Sequence, residues 1–345
     1  MVIWPKLIIE VYDVTGSVKY QDISPGINGL RFSAKDGVGY DACTFPIVRD
    51  VRFSYPDLQI RNKVKLSAGD RVAWEGLISS VNIQAEEDTG IEVTCYGYFA
   101  LLTKRINATP LTAGMKGSDW ILANLMADTD LEFERGNIYT DDYIFPADLD
   151  LGDDLYYNTI LGKINEYNGY VMGVGADRKF DFYPKPSMIS YKVRMEDCHT
   201  SLMYERDSIT NYVLVKYTTD GTTWETFWWP DDGPDQASSK LYGRCDGILV
   251  IEEYCTEAMA QQKAEVALQE STTMRPASDL TLERIYDVNT GVESDVRLIK
   301  PGSLVFIEDL ASVQTNVNDA ATLNEMSTFA IAETEFDIES EEVTA

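Results

Sequence analysis

Val81-Asn82-Ile83-Gln84-Ala85-Glu86-Glu87-Asp88-Thr89-Gly90-Ile91-Glu92-Val93-Thr94-Cys95-Tyr96 is the stretch on which the fold class turns. Val81, Ile83 and Ala85 alternate with Asn82, Gln84 and Glu86; beyond the turn Glu87-Asp88-Thr89-Gly90, Ile91, Val93 and Cys95 alternate with Glu92, Thr94 and Tyr96. Successive strand side chains point to opposite faces. Period-two alternation on both arms of a Gly-containing turn therefore predicts a hairpin in a sheet with one buried face. Residues 7–14, 61–66 and 71–75 carry the same texture, broken by Thr15-Gly16 and by Ser67-Ala68-Gly69-Asp70. Several short strands separated by turns predict a small barrel or sandwich over the first hundred residues.

The pattern then changes. Residues 109–114 read as a linker. Ser118 can cap a helix over 119–127, with Trp120, Ile121, Leu122 and Leu125 on its apolar side. A second helix is expected over 155–167, facing inward with Ile160, Leu161 and Ile164 and ended by Asn168-Gly169. Residues 170–174 and 179–183 flank Gly175-Ala176-Asp177-Arg178 as a hairpin. The last third returns to β: a strand over 212–217, a turn at Asp220-Gly221, a return arm with Trp224, Phe227, Trp228 and Trp229, an Ala- and Gln-rich helix over 256–272, strands over 281–286 and 303–308, and an alternating tail over 329–343. Gly69-Asp70-Arg71-Val72-Ala73-Trp74-Glu75 can be laid on Gly302-Ser303-Leu304-Val305-Phe306-Ile307-Glu308. This weak repeat predicts two similar β-domains bracketing an α+β unit, with the two glycines at equivalent turns. The fold class is therefore α+β and mostly β, divided 1–103, 104–205 and 206–345.

The 345 residues hold 57 acids against 29 bases, a formal charge of −28. Such a chain should not wrap nucleic acid, where Lys and Arg must neutralise phosphates, and anionic membrane surfaces should repel it. No apolar run approaches the ~20 residues that span a bilayer. The first ten residues lack a basic n-region and a small-residue cleavage site, so folding in a cytoplasm is expected. Cys43, Cys95, Cys198, Cys245 and Cys255 are odd in number and widely spaced, without C-x-x-C, so buried free thiols are expected and no disulfide framework or zinc ribbon.

Catalytic signals are sparse. His199 is the sole histidine, and Cys198 beside it is badly placed to face it. G-x-S-x-G, H-E-x-x-H and P-loop motifs are absent from the sequence. Asp231 and Asp232 beside Trp224, Trp228 and Trp229 allow an acidic carbohydrate-active enzyme or carbohydrate-binding module as an alternative reading. Packing or protein contact is the better account of the tryptophans. Asp148-Leu149-Asp150-Leu151-Gly152-Asp153-Asp154 could offer oxygens to calcium but lacks EF-hand spacing. Residues 128–154 hold ten acids and one Arg, which reads better as a solvated face than as a metal site. No cofactor is expected.

The layout resembles the tail-hub proteins of long-tailed bacteriophages, which include baseplate hubs and tail-tip hubs. The resemblance rests on residues 64–78 and 91–102, where a strand and turn lead into Trp74-Glu75-Gly76-Leu77-Ile78 and then Tyr96-Gly97-Tyr98-Phe99-Ala100-Leu101-Leu102. It continues in residues 207–215, in the helix from Thr256 and in residues 299–305. It implies two tube-protein-like β-barrels, 1–103 and 206–345, flanking the smaller α+β domain, with the helix near 256–272 packed on the second barrel. It further implies a structural virion protein at the tail tip: a homotrimer with a pseudo-sixfold face. Its partners would be the tail tube or distal tail protein, the tape measure protein and baseplate or tail fibre proteins, with DNA only in transit and no membrane insertion. On that reading Glu333, Glu335, Asp337 and Glu339 fall on one side of a strand and could line the channel, while Thr334, Phe336 and Ile338 face a core. Trp224, Trp228 and Trp229 would be protein contacts.

Overall fold

The computed structural model describes residues 5–22, 29–47, 58–83, 91–200, 208–272, 279–310, 327–337 and 342–344. The expected turn Glu87–Gly90, and Ile338 and Glu339, lie outside the described residues. Both hairpin arms form, but only the second buries its apolar residues as expected, since Val81 is half-buried and Ile83 is exposed. Arg71–Ile83 pairs antiparallel with Ile91–Gly97, setting Val81 against Val93 and Ile83 against Ile91. Val93 and Cys95 are buried while Glu92 and Tyr96 are exposed.

These arms sit in the middle of a long curled half-barrel sheet. On one side follow Lys63–Ala68, Leu7–Tyr12 and Val18–Asp22; on the other Gly39–Ile47, Arg31–Lys35, Glu333–Asp337, Glu342–Thr344, Leu280–Leu282 and Cys198–Thr200. The concave side is filled by Ile9, Phe45, Val64, Leu66, Trp74 and Val93, each fully buried. The alternation of the tail is also as expected, with Thr334 and Phe336 buried and Glu333 and Glu335 exposed. Its destination differs. The strand Glu333–Asp337 pairs with Arg31–Lys35, and Phe336 packs on Phe32 with ring centroids 4.9 Å apart, so it completes the N-terminal core.

The central unit differs from a simple 104–205 block. Its core joins Tyr98, Trp120, Phe145, Ile160 and Phe180 to Val215, Ile251, Met259 and Ala264 in one buried cluster. The helix expected on the second barrel, observed over Glu257–Ser271 with Thr256 Oγ1 accepting from the Met259 amide, thus lies in the central core beside the helix Tyr157–Asn168. Conversely Tyr191–Arg194 pairs parallel with Leu304–Glu308, in a five-stranded sheet with its own core around Val193, Ile285 and Val305. The chain therefore enters the C-terminal β unit, returns to the centre for residues 208–271, and goes back. Residues 281–286 break at Glu283 into two strands, Leu280–Leu282 and Ile285–Asp287, in different sheets.

Local departures have local causes. Ser118 is no cap: a helical turn Gly117–Trp120 runs into a π-turn over Ile121–Leu125, and the buried Asp141 carboxylate accepts the amides of Gly117 (2.9 Å) and Ser118 (3.2 Å) and the Ser118 hydroxyl (2.6 Å). A carboxylate from a distant loop thus takes the role of the N-cap side chain. Residues 109–114 are no free linker, because Leu111 is fully buried and Thr109 O accepts from the Trp120 indole. Gly69 closes a hairpin, whereas Gly302 precedes a strand whose neighbours are Tyr191–Arg194 and Thr328–Ala330, so the two turns are not equivalent. Four of the five cysteines are buried and all five are free.

Two charged groups lock the seams. Glu75, fully buried, accepts from the Tyr98 hydroxyl at 2.7 Å and lies 3.0 Å from Lys63 Nζ, joining the first sheet to the start of the central unit. Burial, reinforced by Glu75, pushes the Tyr98 phenol far up. A Cβ at Gly97 would sit 1.7 Å from Tyr40 O, so this junction admits only glycine. Lys263 is buried between the two central helices, bonded to Glu166 at 2.6 Å and to Glu253, and lies over the Tyr167 ring at 4.9 Å.

Phe336→Ala should destabilise the protein by about 3 kcal/mol, since it opens a cavity under the strand that ties the C-terminus to Phe32; chemical denaturation checks it. Lys263→Ala, leaving two carboxylates without their cation, should also cost about 3 kcal/mol, and Lys263→Met with Glu253→Gln distinctly less. Burial alone would lower the Lys263 pKa, but Glu166 and Glu253 outweigh it and raise it. Burial alone would raise that of Glu253, but Lys263 outweighs it and holds it down. The Lys263 contribution is complete below the unfolded amine pKa of ~10.4 and is lost as pH rises through the higher folded value; the Glu253 contribution is complete above the unfolded carboxyl pKa of ~4.3 and is lost as pH falls through the lower folded one. Stability measured against pH should therefore carry no slope from this pair between about pH 5 and 10.

Candidate functional site

Tyr212–Thr218 is the middle strand of a three-stranded sheet, antiparallel to Trp224–Trp229 and parallel to Asp246–Tyr254. The turn between the first two is held by Asp220, whose carboxylate accepts the amides of Thr223 (2.6 Å) and Thr222 (2.8 Å) and the Thr223 hydroxyl (2.8 Å). Those bonds, the Thr223 amide foremost, hold the Asp220 carboxyl well below the usual range. One sheet face packs Val213, Val215, Tyr217 and Ile251 onto the central core. The other face is open. Across it Leu214 lies between Trp228 and Ile248, and Lys216 between Thr226 and Val250. Ile248 is 73% exposed, Val250 47%, Trp224 43% and Trp228 37%.

The open face is aromatic and cationic. Trp228 stacks on Tyr212 (centroids 4.7 Å apart, planes at 13°), and the Arg244 guanidinium lies over both rings, at 5.2 and 4.7 Å. Lys216 Nζ lies 4.6 Å over Trp224. Each contact sets a cation against the negative face of a ring. Both flanking strands are sheet edges among the described residues, so unpaired backbone groups border the patch. Exposed apolar surface with aromatic anchors and bordering edges is the chemistry of a protein contact.

Of the three tryptophans singled out in the sequence, the structure brings Trp224 and Trp228 to this face and turns Trp229 inward beside Phe227 and Leu249. The sequence reading missed Ile248, Val250, Tyr212 and Arg244. The available signal was Gly247-Ile248-Leu249-Val250-Ile251, a strand apolar on both sides. Asp231 and Asp232 are exposed in the turn beyond, without the burial that tunes a general acid. Trp224 and Trp228 carry Lys216 and Arg244 rather than a bare platform for a sugar ring.

No protein-family model matches the chain, and no curated protein sequence matches it. Solved structures do. Prophage tail protein gp18 from Listeria monocytogenes EGD-e matches with a TM-score of 0.59 at 10% identity, over 98% of this chain and 93% of that one. The 43 kDa tail protein of prophage MuSo2 from Shewanella oneidensis gives 0.63 at 10% identity, over 98% and 96%. The tail protein from Neisseria meningitidis MC58 gives 0.61 at 13% identity, over 98% and 95%. The chain has the fold of these prophage tail proteins.

Within this tail-protein fold the remaining sequence candidates have plain positions. The acidic strand is largely charge-paired across to its neighbour: Asp337 lies 2.8 Å from Arg31 and Glu333 3.8 Å from Lys35, while Glu335 stands opposite Ser33. The carboxylates of 128–154 are dispersed. Asp128 pairs with Arg105, Asp141 caps the helical turn, Asp148 accepts the Ala113 amide at 2.8 Å, and Asp154 accepts the Thr159 hydroxyl at 3.0 Å. Burial pushes the Asp128 carboxyl up, but Arg105 and the Asp130 amide outweigh it and hold it below its ordinary value. Among the described residues no group of three or more His, Cys, Asp or Glu could hold a metal. His199 is exposed, 3.1 Å from Glu283, and Cys198 points to the opposite, buried face of its strand, where burial raises its thiol pKa. Among the described residues no helix is long and apolar enough to cross a membrane.

Because Arg31 and Lys35 are both more than half exposed, their pairs are weak. Arg31→Gln and Lys35→Gln should each cost under ~1 kcal/mol in urea denaturation, and the difference should shrink further at high salt.

Proposed function

We propose that the chain is a structural virion protein, the hub at the distal end of a phage tail, without catalytic activity of its own. Three copies form a ring that joins the tail tube to the baseplate or receptor-binding apparatus and surrounds the DNA exit path. The observation that carries this reading is the shared fold, which runs through 98% of the chain in three prophage tail proteins despite identities of 10–13%. A likeness across all three β and α+β units, rather than one, supports a common architectural role.

The open sheet face supports it further. Trp228, Trp224, Ile248 and Val250 offer the apolar anchors of a docking site, here assigned to a neighbouring tail protein such as the tube, tape measure, baseplate or fibre protein. The side of Glu333–Asp337 that carries Glu333, Glu335 and Asp337 is assigned to the channel. There Glu335, opposite the uncharged Ser33, would repel phosphates over roughly one Debye length, ~8 Å at physiological salt, whereas Arg31 and Lys35 offset much of the charge of Asp337 and Glu333.

Native mass measurement and electron microscopy test the assembly. The expected species is a ring at three times the 38.8 kDa chain mass, able to cap tail tubes; a chain that stays monomeric with and without tubes would refute the hub reading. Ile248→Asp should leave the thermal midpoint of the isolated chain within a few degrees, because the side chain already faces water, yet it should abolish co-purification with the neighbouring tail protein.

A further inference from the structure

A cleft of about 610 Å³ opens where the N-terminal, central and C-terminal units meet. Its walls come from the hairpin at Lys35–Gly39, from Arg71–Ala73, from residues 171–183, and from Arg297–Pro301. The size falls within the ~300–1,000 Å³ of small-molecule sites. The lining charge is inverted relative to the chain. Lys35, Arg71, Lys179, Arg297 and Lys300 face three acids, Asp36, Asp177 and Asp181, in a protein with twice as many acids as bases.

The pairing of these cations is incomplete. Arg297 is fixed by Asp295 through two bonds of 2.7 and 2.6 Å and donates to Pro5 O at 2.8 Å. Among the described residues Lys35 and Lys179 have ion pairs only at the long distance of 3.8 Å, to Glu333 and Asp177. Neither Arg71 nor Lys300 has an acidic partner within ion-pair distance among the described residues. With so large an excess of carboxylates, a random surface would be expected to leave acids rather than two cations of one cleft without an ion pair among the described residues. Of the acids, Asp181 is engaged by the Asn137 amide at 2.7 Å. Close backbone packing fixes two of the cleft's walls against each other. Gly39 and Gly173 touch so closely that a Cβ on either would lie 2.4 Å from the other strand's backbone.

We propose that this cleft binds a small organic or inorganic polyanion, with Arg71 and Lys300 as its principal charge partners and Lys35 and Lys179 completing the site. The cations come from four separate segments, so one ligand carrying several negative groups satisfies them better than a monovalent ion. Carboxylate and phosphate share that chemistry. The site is independent of the hub reading, since it requires neither ring nor tail.

Isothermal titration of the full-length protein at low ionic strength, with citrate in one arm and pyrophosphate in the other, tests it. Saturable one-to-one binding of either is expected; binding of citrate alone, pyrophosphate alone or both sorts carboxylate from phosphate ligands. Arg71→Gln with Lys300→Gln should weaken binding at least tenfold, Arg71→Lys with Lys300→Arg should restore most of it, and Lys216→Gln on the distant sheet face should change nothing. Circular dichroism of each variant excludes unfolding. No saturable binding of either anion, or unchanged binding in the folded double Gln variant, overturns the proposal.

Discussion

The architecture depends on a single long-range pairing, the strand Glu333–Asp337 laid beside Arg31–Lys35 with Phe336 against Phe32. Some three hundred residues separate the partners in the chain, so this contact closes a very long loop. The entropy of that closure grows only logarithmically with length, and one buried aromatic pair with its ladder hydrogen bonds is enough to offset it. Once made, the contact fixes everything between. The strand carries the C-terminal β unit against the N-terminal sheet, and the central unit has to sit where both can reach it.

The central core obeys the same logic at shorter range. It is assembled from two segments, 98–183 and 208–271, separated by the excursion through Tyr191–Arg194 and Cys198–Thr200. Lys263 bridging Glu166 and Glu253 sits at that join. A buried ion pair contributes little net stability, but with one partner misplaced it leaves charge without compensation, so it discriminates strongly against other packings of the two helices. The open sheet of Tyr212–Thr218, Trp224–Trp229 and Asp246–Tyr254 is held from behind by this core through Val213, Val215, Tyr217 and Ile251.

What was legible in the sequence follows from range. The arms Arg71–Ile83 and Ile91–Gly97, the helices Tyr157–Asn168 and Glu257–Ser271, and the Gly169 stop, with φ of 63°, are written in periodicity and end signals within a few residues. Strand destinations are not. The alternation of Glu333, Thr334, Glu335, Phe336 and Asp337 is the same whether the neighbour starts at Arg31 or at Leu304. The helix Glu257–Ser271 buries Met259, Ala260, Ala264 and Leu268, small residues that permit close approach but do not name the surface approached. The Asp141 cap was illegible because its carboxylate arrives from 24 residues away. At the candidate site the tryptophans were visible by type, yet only the pairing of Asp246–Tyr254 revealed that Ile248 and Val250 complete the face.

The charge distribution bears on how such a face can stay open. A formal charge of −28 makes most encounters between copies repulsive. Exposed Ile248, Val250 and tryptophan beside two strands that are sheet edges among the described residues would otherwise invite indiscriminate edge-to-edge association. On the same face Lys216 and Arg244 supply positive charge, held against the ring faces of Trp224, Trp228 and Tyr212. On the proposed docking role, the long-range field would hold unrelated copies apart, and the short-range surface would reward only a partner that brings apolar groups and acidic groups in register. Selectivity would then arise from the difference between the two ranges: repulsion is screened beyond about one Debye length, whereas stacking and burial act only at contact.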